Sequence, residues 1–156
     1  MKFSTREDVD VPIEDTFTML TDFEQFEAQA IQRGADIART DSLTAPGIGM
    51  TWEAQFDMRG RRRGLSLRMD RFDRPNGMLM SFVSNGLEGD FDVTCKALSP
   101  TRTRISLAVE FKPQTLSARL LVQSLKLAKT SLNKRFKLRV AEYAQTMEQR
   151  YQTRTT

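Results

Sequence analysis

The sequence predicts an α+β fold in which one highly curved antiparallel sheet of six or seven strands wraps around a long C-terminal helix. Two periodicities carry this prediction. In residues 48–111 apolar and polar side chains alternate, as they do in strands that bury one face. In residues 116–151 the apolar side chains recur every third or fourth position, as on one face of a helix. Because a sheet that curves around one helix tends to leave an apolar hollow, the pattern also suggests a ligand.

The N-terminal residues predict one strand followed by two short helices. The strand covers about residues 3–11, and Pro12 ends it because proline donates no ladder hydrogen bond and suits the first turn of a helix. Phe17 and Leu20, three positions apart, face inward from the first helix. Asp22 is a suitable N-cap for the second helix. The apolar side of this second helix consists of Phe23, Phe26, Ala30 and Ile31.

The next segment predicts short strands joined by turns. After a weak strand over residues 35–43, the clearest strand ends at a turn of residues 59–64, Arg-Gly-Arg-Arg-Arg-Gly. Arg71 falls on the inward-facing parity of the following strand, unless a β-bulge near residues 71–72 reverses it. The inner face of the predicted sheet consists of Ile48, Met50, Trp52, Ala54, Phe56, Met58, Leu65, Leu67, Met69, Met78, Met80, Phe82, Phe91, Val93, Cys95, Ala97, Ile105, Leu107, Val109 and Phe111.

The C-terminal segment predicts a single helix of about 35 residues. At about 1.5 Å per residue such a helix would reach roughly 50 Å. It is long enough either to cross the sheet and project beyond it or to break near residues 129–131, Lys-Thr-Ser. Its apolar stripe consists of Leu121, Leu125, Ala128, Leu132, Phe136, Val140, Tyr143, Met147 and Tyr151.

The composition excludes several classes of chemistry. At 156 residues the chain suits a single domain, residues 1–156. It contains no histidine, which excludes Ser-His-Asp and Cys-His catalysis and, with one cysteine, argues against a zinc or haem site. A divalent-ion site built from carboxylates alone is left open by this composition, but no acidic cluster has the spacing of a calcium loop, and we expect no metal and no other cofactor. Because Cys95 has no partner for an intrachain disulfide and no signal peptide or membrane span is evident, we expect a cytoplasmic protein.

Charge is strongly segregated along the chain. Residues 1–58 carry four basic and twelve acidic side chains, residues 59–74 carry seven arginines against two aspartates, and residues 115–156 carry nine basic side chains against two glutamates. Alternate turns of an antiparallel meander gather at one end, so the arginine-rich turn should lie with residues 84–87 and 112–114, near a mouth of the hollow. This basic end could meet an acidic ligand or a membrane surface, or it could only keep the protein soluble. Its arginines are Arg59, Arg61, Arg62 and Arg63.

Nucleic acid is not an expected partner, because the basic residues are not interleaved with aromatic residues on which bases would stack. The oligomeric state is left open by the sequence.

Three polar residues on inward parities, Glu7, Arg71 and Tyr143, could serve as a general acid or base, or could lie near the ends of elements where water reaches them.

Inward-facing aromatic, aliphatic and methionine side chains could line a hydrophobic ligand site. Methionine adapts its shape, so several together suit a tolerant apolar pocket. The alternative is that the same side chains fill the core completely and leave no hollow. The candidate ligand-binding residues are Trp52, Phe56, Leu67, Met69, Met80, Phe82, Phe91, Val93, Leu107, Val109, Leu125, Leu132 and Phe136.

Two short segments resemble the opening of the START-like (SRPBCC, helix-grip) superfamily. They are residues 9–17, Val-Asp-Val-Pro-Ile-Glu-Asp-Thr-Phe, and residues 20–26, Leu-Thr-Asp-Phe-Glu-Gln-Phe. The order of elements over nearly the whole chain agrees, and the sequence looks closest to the polyketide cyclase/dehydrase and lipid-transport branch. The resemblance implies a helix-grip fold that binds hydrophobic small molecules, although only some members of the group are enzymes. No catalytic residue of a known cyclase is carried over.

Three functions follow from these observations. The first is a binding or carrier protein for a hydrophobic, lipid- or polyketide-like molecule held in an internal cavity. The second is a polyketide cyclase or dehydratase that uses polar residues in the same cavity. The third is a non-catalytic interaction module that has a solid interior and docks through its basic end. The volume of the cavity separates the third from the first two, since ligand pockets usually exceed about 300 Å³.

Overall fold

Seven strands and four helices make up residues 1–155, the part of the chain that the computed structural model describes. The predicted domain 1–156 includes Thr156, which lies outside the described residues. The elements are β1 (Lys2–Val9), α1 (Ile13–Leu20), α2 (Phe23–Gln32), β2 (Asp36–Arg39), β3 (Thr51–Met58), β4 (Arg61–Asp73), β5 (Gly77–Ser84), β6 (Leu87–Ser99), β7 (Arg102–Pro113), α3 (Leu116–Leu127) and α4 (Lys129–Thr155).

The strands form one antiparallel sheet in the order β1-β7-β6-β5-β4-β3-β2. Phe3 of β1 and Phe56 of β3 line the same cavity, described below, although β1 and β3 are five strand spacings apart. In a flat sheet those spacings would separate them by roughly 24 Å. The sheet therefore curves strongly, and its concave face is turned toward the helices. This confirms the predicted α+β fold.

The first two helices pack unequally. In α1, Phe17 and Leu20 are buried as predicted, and Glu14 and Asp15 occupy the first turn, where the helix dipole favours carboxylates. In α2 no side chain is fully buried, and the prediction that Ile31 faces inward is wrong, since 55% of it is exposed. The reason is that α2 packs mainly against β2, a strand of four residues at the edge of the sheet.

The strand β3 begins later than predicted, and the turn that follows it is shorter. Ile48 was expected to face inward but is 64% exposed, because it precedes the strand in a loop where Gly49 has a φ of +94°. Only Arg59 and Gly60, with φ of +53° and +76°, form the turn. Positive φ at both central residues is typical of a two-residue hairpin turn. The other three arginines of the predicted turn therefore belong to β4.

A β-bulge in β4 places Arg71 on the outer face of the sheet, so the inward alternative for this residue is wrong. The register against β5 shifts between Met69 and Arg71. The Arg71 guanidinium is 3.2 Å from the Asp92 carboxylate on the neighbouring outer surface. Phe72 takes the inward position instead, and its ring packs edge-on to Phe17 at 5.4 Å. A second register shift, after Ala97 in β6, accompanies the exposure of Ala97, which was also predicted to face inward.

The C-terminal helical segment breaks, and it does so at Ala128, one residue before the predicted region. The Thr115 hydroxyl oxygen caps α3 by accepting a hydrogen bond from the Ala118 amide at 3.1 Å. The helix α3 packs against β7, whereas α4 crosses β1. The break therefore allows the two halves to follow different parts of the curved sheet.

The core lies where β1, α1, the middle of the sheet and the end of α4 meet. The Thr16 and Thr103 hydroxyls are buried there, and both donate to the Val11 carbonyl oxygen, at 3.3 and 2.7 Å. These bonds satisfy polar groups that would otherwise be costly to bury. The largest fully buried apolar side chains are Phe17, Met50, Met69, Ile105, Met147, Val9, Val11 and Val93.

Candidate ligand-binding cavities

Two apolar cavities lie between the concave face of the sheet and the helices. The Trp52 cavity has a volume of about 400 Å³ and the Arg63 cavity about 480 Å³. Both exceed the roughly 300 Å³ at which ligand pockets usually begin. The Trp52 cavity is bounded by Trp52, Leu67, Phe91, Leu107, Phe136 and Tyr143. The Arg63 cavity is bounded by Phe56, Arg63, Val109, Leu121, Leu125 and Leu132.

The two cavities share a wall. Leu67 of β4 and Phe136 of α4 line both of them. The Phe136 ring also packs against Phe3 of β1, with 6.3 Å between the ring centroids. The two spaces therefore adjoin at Leu67 and Phe136 on the concave face.

Polar contacts hold Trp52 in place at one end of this arrangement. Its indole N–H donates to Glu27 Oε1 of α2 at 2.8 Å. The Arg39 guanidinium lies 5.5 Å from the ring centroid, within cation–π range, and the Phe23 ring packs against the indole at 5.3 Å. The orientation of the indole is thereby fixed, and its apolar face remains available to the cavity.

Tyr143 brings a hydroxyl group to the Trp52 cavity. This hydroxyl donates to the Met19 carbonyl oxygen at 3.3 Å. Burial raises the pKa of Tyr143 to about 12. The positive charge of Arg150 lowers this pKa in part, and the negative charge of Asp22 raises it by a smaller amount. The phenol is therefore protonated at neutral pH, where it can donate a hydrogen bond but cannot act as a base.

Arg63 is the charged group of the Arg63 cavity. Its side chain comes from β4 and borders this cavity, whose other lining side chains are apolar apart from Ser84. The Nε atom is buried, and no hydrogen-bond partner for it is found among residues 1–155. Buried polar atoms without a partner are rare in folded proteins and point to an unfilled interaction.

The other arginines of the basic end have partners or face solvent. Arg62 forms ion pairs with Asp36 and, at 3.3 Å, with Asp57, and these carboxylates raise its pKa. Arg59 is 3.4 Å from the Ser124 hydroxyl of α3, and Arg61 is exposed. A groove of about 310 Å³ runs between Arg61, Arg62, Arg63, Asn85, Ser117 and Leu121. The Gln114 backbone amide also donates to the Gly86 carbonyl oxygen at 2.8 Å, so the three segments predicted to gather at one end of the sheet lie together.

Twelve of the thirteen candidate ligand-binding residues line one of the cavities. Trp52, Met80, Phe91, Val93 and Leu107 line the Trp52 cavity, and Leu67 and Phe136 line both. Met69 lines neither of them and is fully buried in the core. The candidate residues that line only the Arg63 cavity are Phe56, Phe82, Val109, Leu125 and Leu132.

The three polar candidates are dispersed. Tyr143 lines the Trp52 cavity, Arg71 lies on the outer face of the sheet, and Glu7 lies half-buried in β1 and lines neither cavity. Glu27 and Arg139 also line the Trp52 cavity and were not predicted. Glu27 was missed because a glutamate on a helix surface looks like an ordinary solvated residue. Its spacing of four from Phe23 is the signal that could have placed it toward the sheet.

The Cys95 thiol is buried, and burial raises its pKa to about 11. A protonated thiol is a poor nucleophile.

No group of three or more His, Cys, Asp or Glu side chains within residues 1–155 has the arrangement of a metal site. No helix in this part of the chain combines the length and apolar character that crossing a bilayer requires.

Comparison with known proteins gives matches at the level of structure alone. No family model and no curated protein matches the sequence. The Zhui aromatase/cyclase from Streptomyces sp. R1128 has a TM-score of 0.67 at 12% identity, over 97% of this chain and 95% of that one. A START superfamily protein from Mycobacterium smegmatis has a TM-score of 0.56 at 10% identity, over 86% and 95%. Ara h 8.0201 has a TM-score of 0.58 at 15% identity, over 86% and 93%.

Identities this low show a shared fold and nothing finer. The three matches cover 86%, 97% and 86% of this chain. They confirm the fold that the opening motif implied. The chain has the START-like (SRPBCC) helix-grip fold.

Proposed function

We propose that this protein, acting as one domain over residues 1–156, binds and carries a hydrophobic small molecule of the lipid or polyketide type. The observation that carries the proposal is the pair of adjoining apolar cavities of about 400 and 480 Å³. Spaces of this size argue against an interaction module with a solid interior. A chain without disulfides suits the cytoplasm, and we expect the carrier to act there.

The ligand that we propose is amphipathic, with an acidic group at one end. Its apolar body would occupy the concave face, and its acid would meet the unpartnered guanidinium of Arg63. Guanidinium groups bind carboxylates and phosphates through paired, charge-assisted hydrogen bonds. Of the four arginines considered for an acidic ligand, Arg63 is thus the one that the geometry favours, because Arg62 is occupied by aspartates.

Calorimetric titration with dodecanoate tests the binding proposal. We expect saturable binding at one site by the natural chain. Val109→Trp would place a large side chain in the Arg63 cavity and should abolish binding. Val83→Trp is the matched control, since Val83 lies two strands away on the outer face and is largely exposed. Equal binding by both variants, or no binding by the natural chain to any amphipathic acid or alcohol, would contradict the proposal.

A second candidate function is a cyclase or dehydratase acting in the Trp52 cavity. The observation that favours it is Tyr143, a protonated phenol beside an apolar space that also contains Arg139. A phenol that leaves the Met19 carbonyl oxygen could instead donate its hydrogen bond to a substrate carbonyl and promote enolisation or loss of water. The test is turnover of a poly-β-keto thioester analogue by the natural chain and by Tyr143→Phe. A carrier gives no turnover with either protein, whereas the enzyme loses turnover on removal of the hydroxyl and retains binding.

A further inference from the structure

The outer face of α3 exposes three leucines to solvent. Leu116 is 73% exposed, Leu120 62% and Leu127 92%. At 100° per residue these three positions fall within an arc of about 40° on the helix surface. The opposite side of α3 is the one that packs on the protein, through the buried Ala118 and Val122. The helix is therefore apolar on two sides, and only one of them is covered.

All the charged side chains in the segment around these leucines are basic. Residues 111–141 contain eight lysines and arginines and no acidic side chain. Lys112 pairs with Asp90 at 2.6 Å, and no ion pair joins the other seven to a carboxylate within residues 1–155. Arg119 and Lys126 belong to α3 itself. Arg59 touches Ser124 of this helix, so the arginine-bearing turn adds its charge to the same region.

We propose that α3 docks this protein on an anionic lipid bilayer, with Leu116, Leu120 and Leu127 inserted between the headgroups. A narrow apolar stripe flanked by cations is the pattern of helices that lie in a membrane interface. Apolar side chains enter the acyl boundary, while lysines and arginines attract the anionic headgroups. A protein partner would instead have to cover the leucines and supply acidic groups in a matching arrangement.

The inner side of the same helix borders the Arg63 cavity. Leu121 and Leu125 line that cavity, and Leu121 also lines the groove beside Arg61 and Arg63. Docking through the outer side of α3 would therefore bring this end of the cavity close to the membrane. Exchange of a lipid between membrane and cavity would be the functional consequence, although docking itself rests on the leucines and the basic charge and not on the proposed carrier function.

Vesicle co-sedimentation tests the docking. The probes are vesicles of phosphatidylcholine alone and of phosphatidylcholine mixed with phosphatidylglycerol. We expect the natural chain to bind the mixed vesicles, and the triple variant Leu116→Gln, Leu120→Gln, Leu127→Gln to bind them about tenfold more weakly or worse, because three apolar side chains no longer insert. Raised salt should weaken binding of the natural chain.

A matched triple variant controls for the general loss of exposed apolar surface. Leu43→Gln, Ile48→Gln and Leu98→Gln alter three other exposed side chains away from α3, and this protein should bind the mixed vesicles as the natural chain does. Circular dichroism checks that both variants fold, and dodecanoate titration without vesicles should give the same affinity for both. Equal vesicle binding by the α3 variant, equal loss in the control variant, or no binding by the natural chain would overturn the docking proposal. If the natural chain does not bind dodecanoate, that result would contradict the proposed carrier function and would leave the docking proposal unaffected.

Discussion

The unpartnered Arg63 guanidinium gives the most specific prediction about the ligand. The substitution Arg63→Met removes the charge and puts an apolar side chain of similar length in its place. The natural protein should bind dodecanoate more tightly than dodecanol, because only the acid can accept charge-assisted hydrogen bonds from the guanidinium. In the variant the two ligands should bind alike, since the rest of the cavity wall is apolar apart from Ser84.

The structure sets the size of this preference. Hydrogen bonds to charged groups contribute about 1.5–3 kcal/mol, which corresponds to roughly 10- to 150-fold in affinity. Arg63 is only half-buried, so water competes for part of its guanidinium and the lower end of that range applies. We therefore expect the acid to be preferred about tenfold in the natural protein and the preference to vanish in Arg63→Met.

Calorimetric titration of both ligands into three proteins measures the effect. The control is Arg61→Met, which removes the same charge at a position two residues earlier in the chain. The Arg61 side chain is exposed and does not line the Arg63 cavity. This control separates a specific contact from the general positive potential of the basic end. An unchanged acid preference in Arg63→Met, or an equal loss in Arg61→Met, would show that the Arg63 guanidinium does not bind the acidic group.

Three further predictions concern the core and the surface. Met69→Ala should lower the free energy of unfolding in urea by about 2–5 kcal/mol, and Met80→Ala by less, because Met69 is fully buried whereas Met80 borders a hollow. Cys95 should react with a thiol reagent only after unfolding, since burial raises its pKa to about 11. The Arg39 ion pair lowers the pKa of the Asp41 carboxyl below its ordinary value, so it stabilises the fold above the unfolded pKa of about 3.9. Asp41→Asn should therefore lower Tm at neutral pH, and the difference should shrink as the pH falls through the lower, folded-state pKa.

The sequence was sufficient for the fold because strong periodicities specify it. The inner positions of β3 to β7 follow the period-two pattern, and the placement of Trp52, Phe91 and Val109 around the cavities follows directly from it. Pro12 and Asp22 likewise stand immediately before α1 and α2, although the Asp22 side chain makes no capping hydrogen bond. At these strand positions the local period-two pattern and the tertiary packing agree.

The errors arose where tertiary contacts override the local pattern. The bulge after Met69 turns Arg71 outward and Phe72 inward, and whether it occurs depends on pairing with β5, which the pattern of one strand cannot show. Ile31 looked buried because its spacing is helical, but the strand that α2 packs against is too short to cover it. Glu27 reaches Trp52 across twenty-five residues of sequence, and no local rule predicts such a pair.

Native mass spectrometry of the protein, purified from its own cells without detergent, shows whether the cavities hold a ligand in the cell. We expect a population heavier than the 17.9 kDa chain by the mass of one amphipathic small molecule, which is released when the protein is denatured. The same preparation of Val109→Trp should show the bare chain alone. Spectra in which the natural chain and this variant both carry nothing, or both carry the same molecule, would contradict the claim that the cavities beside Leu67 and Phe136 hold a ligand.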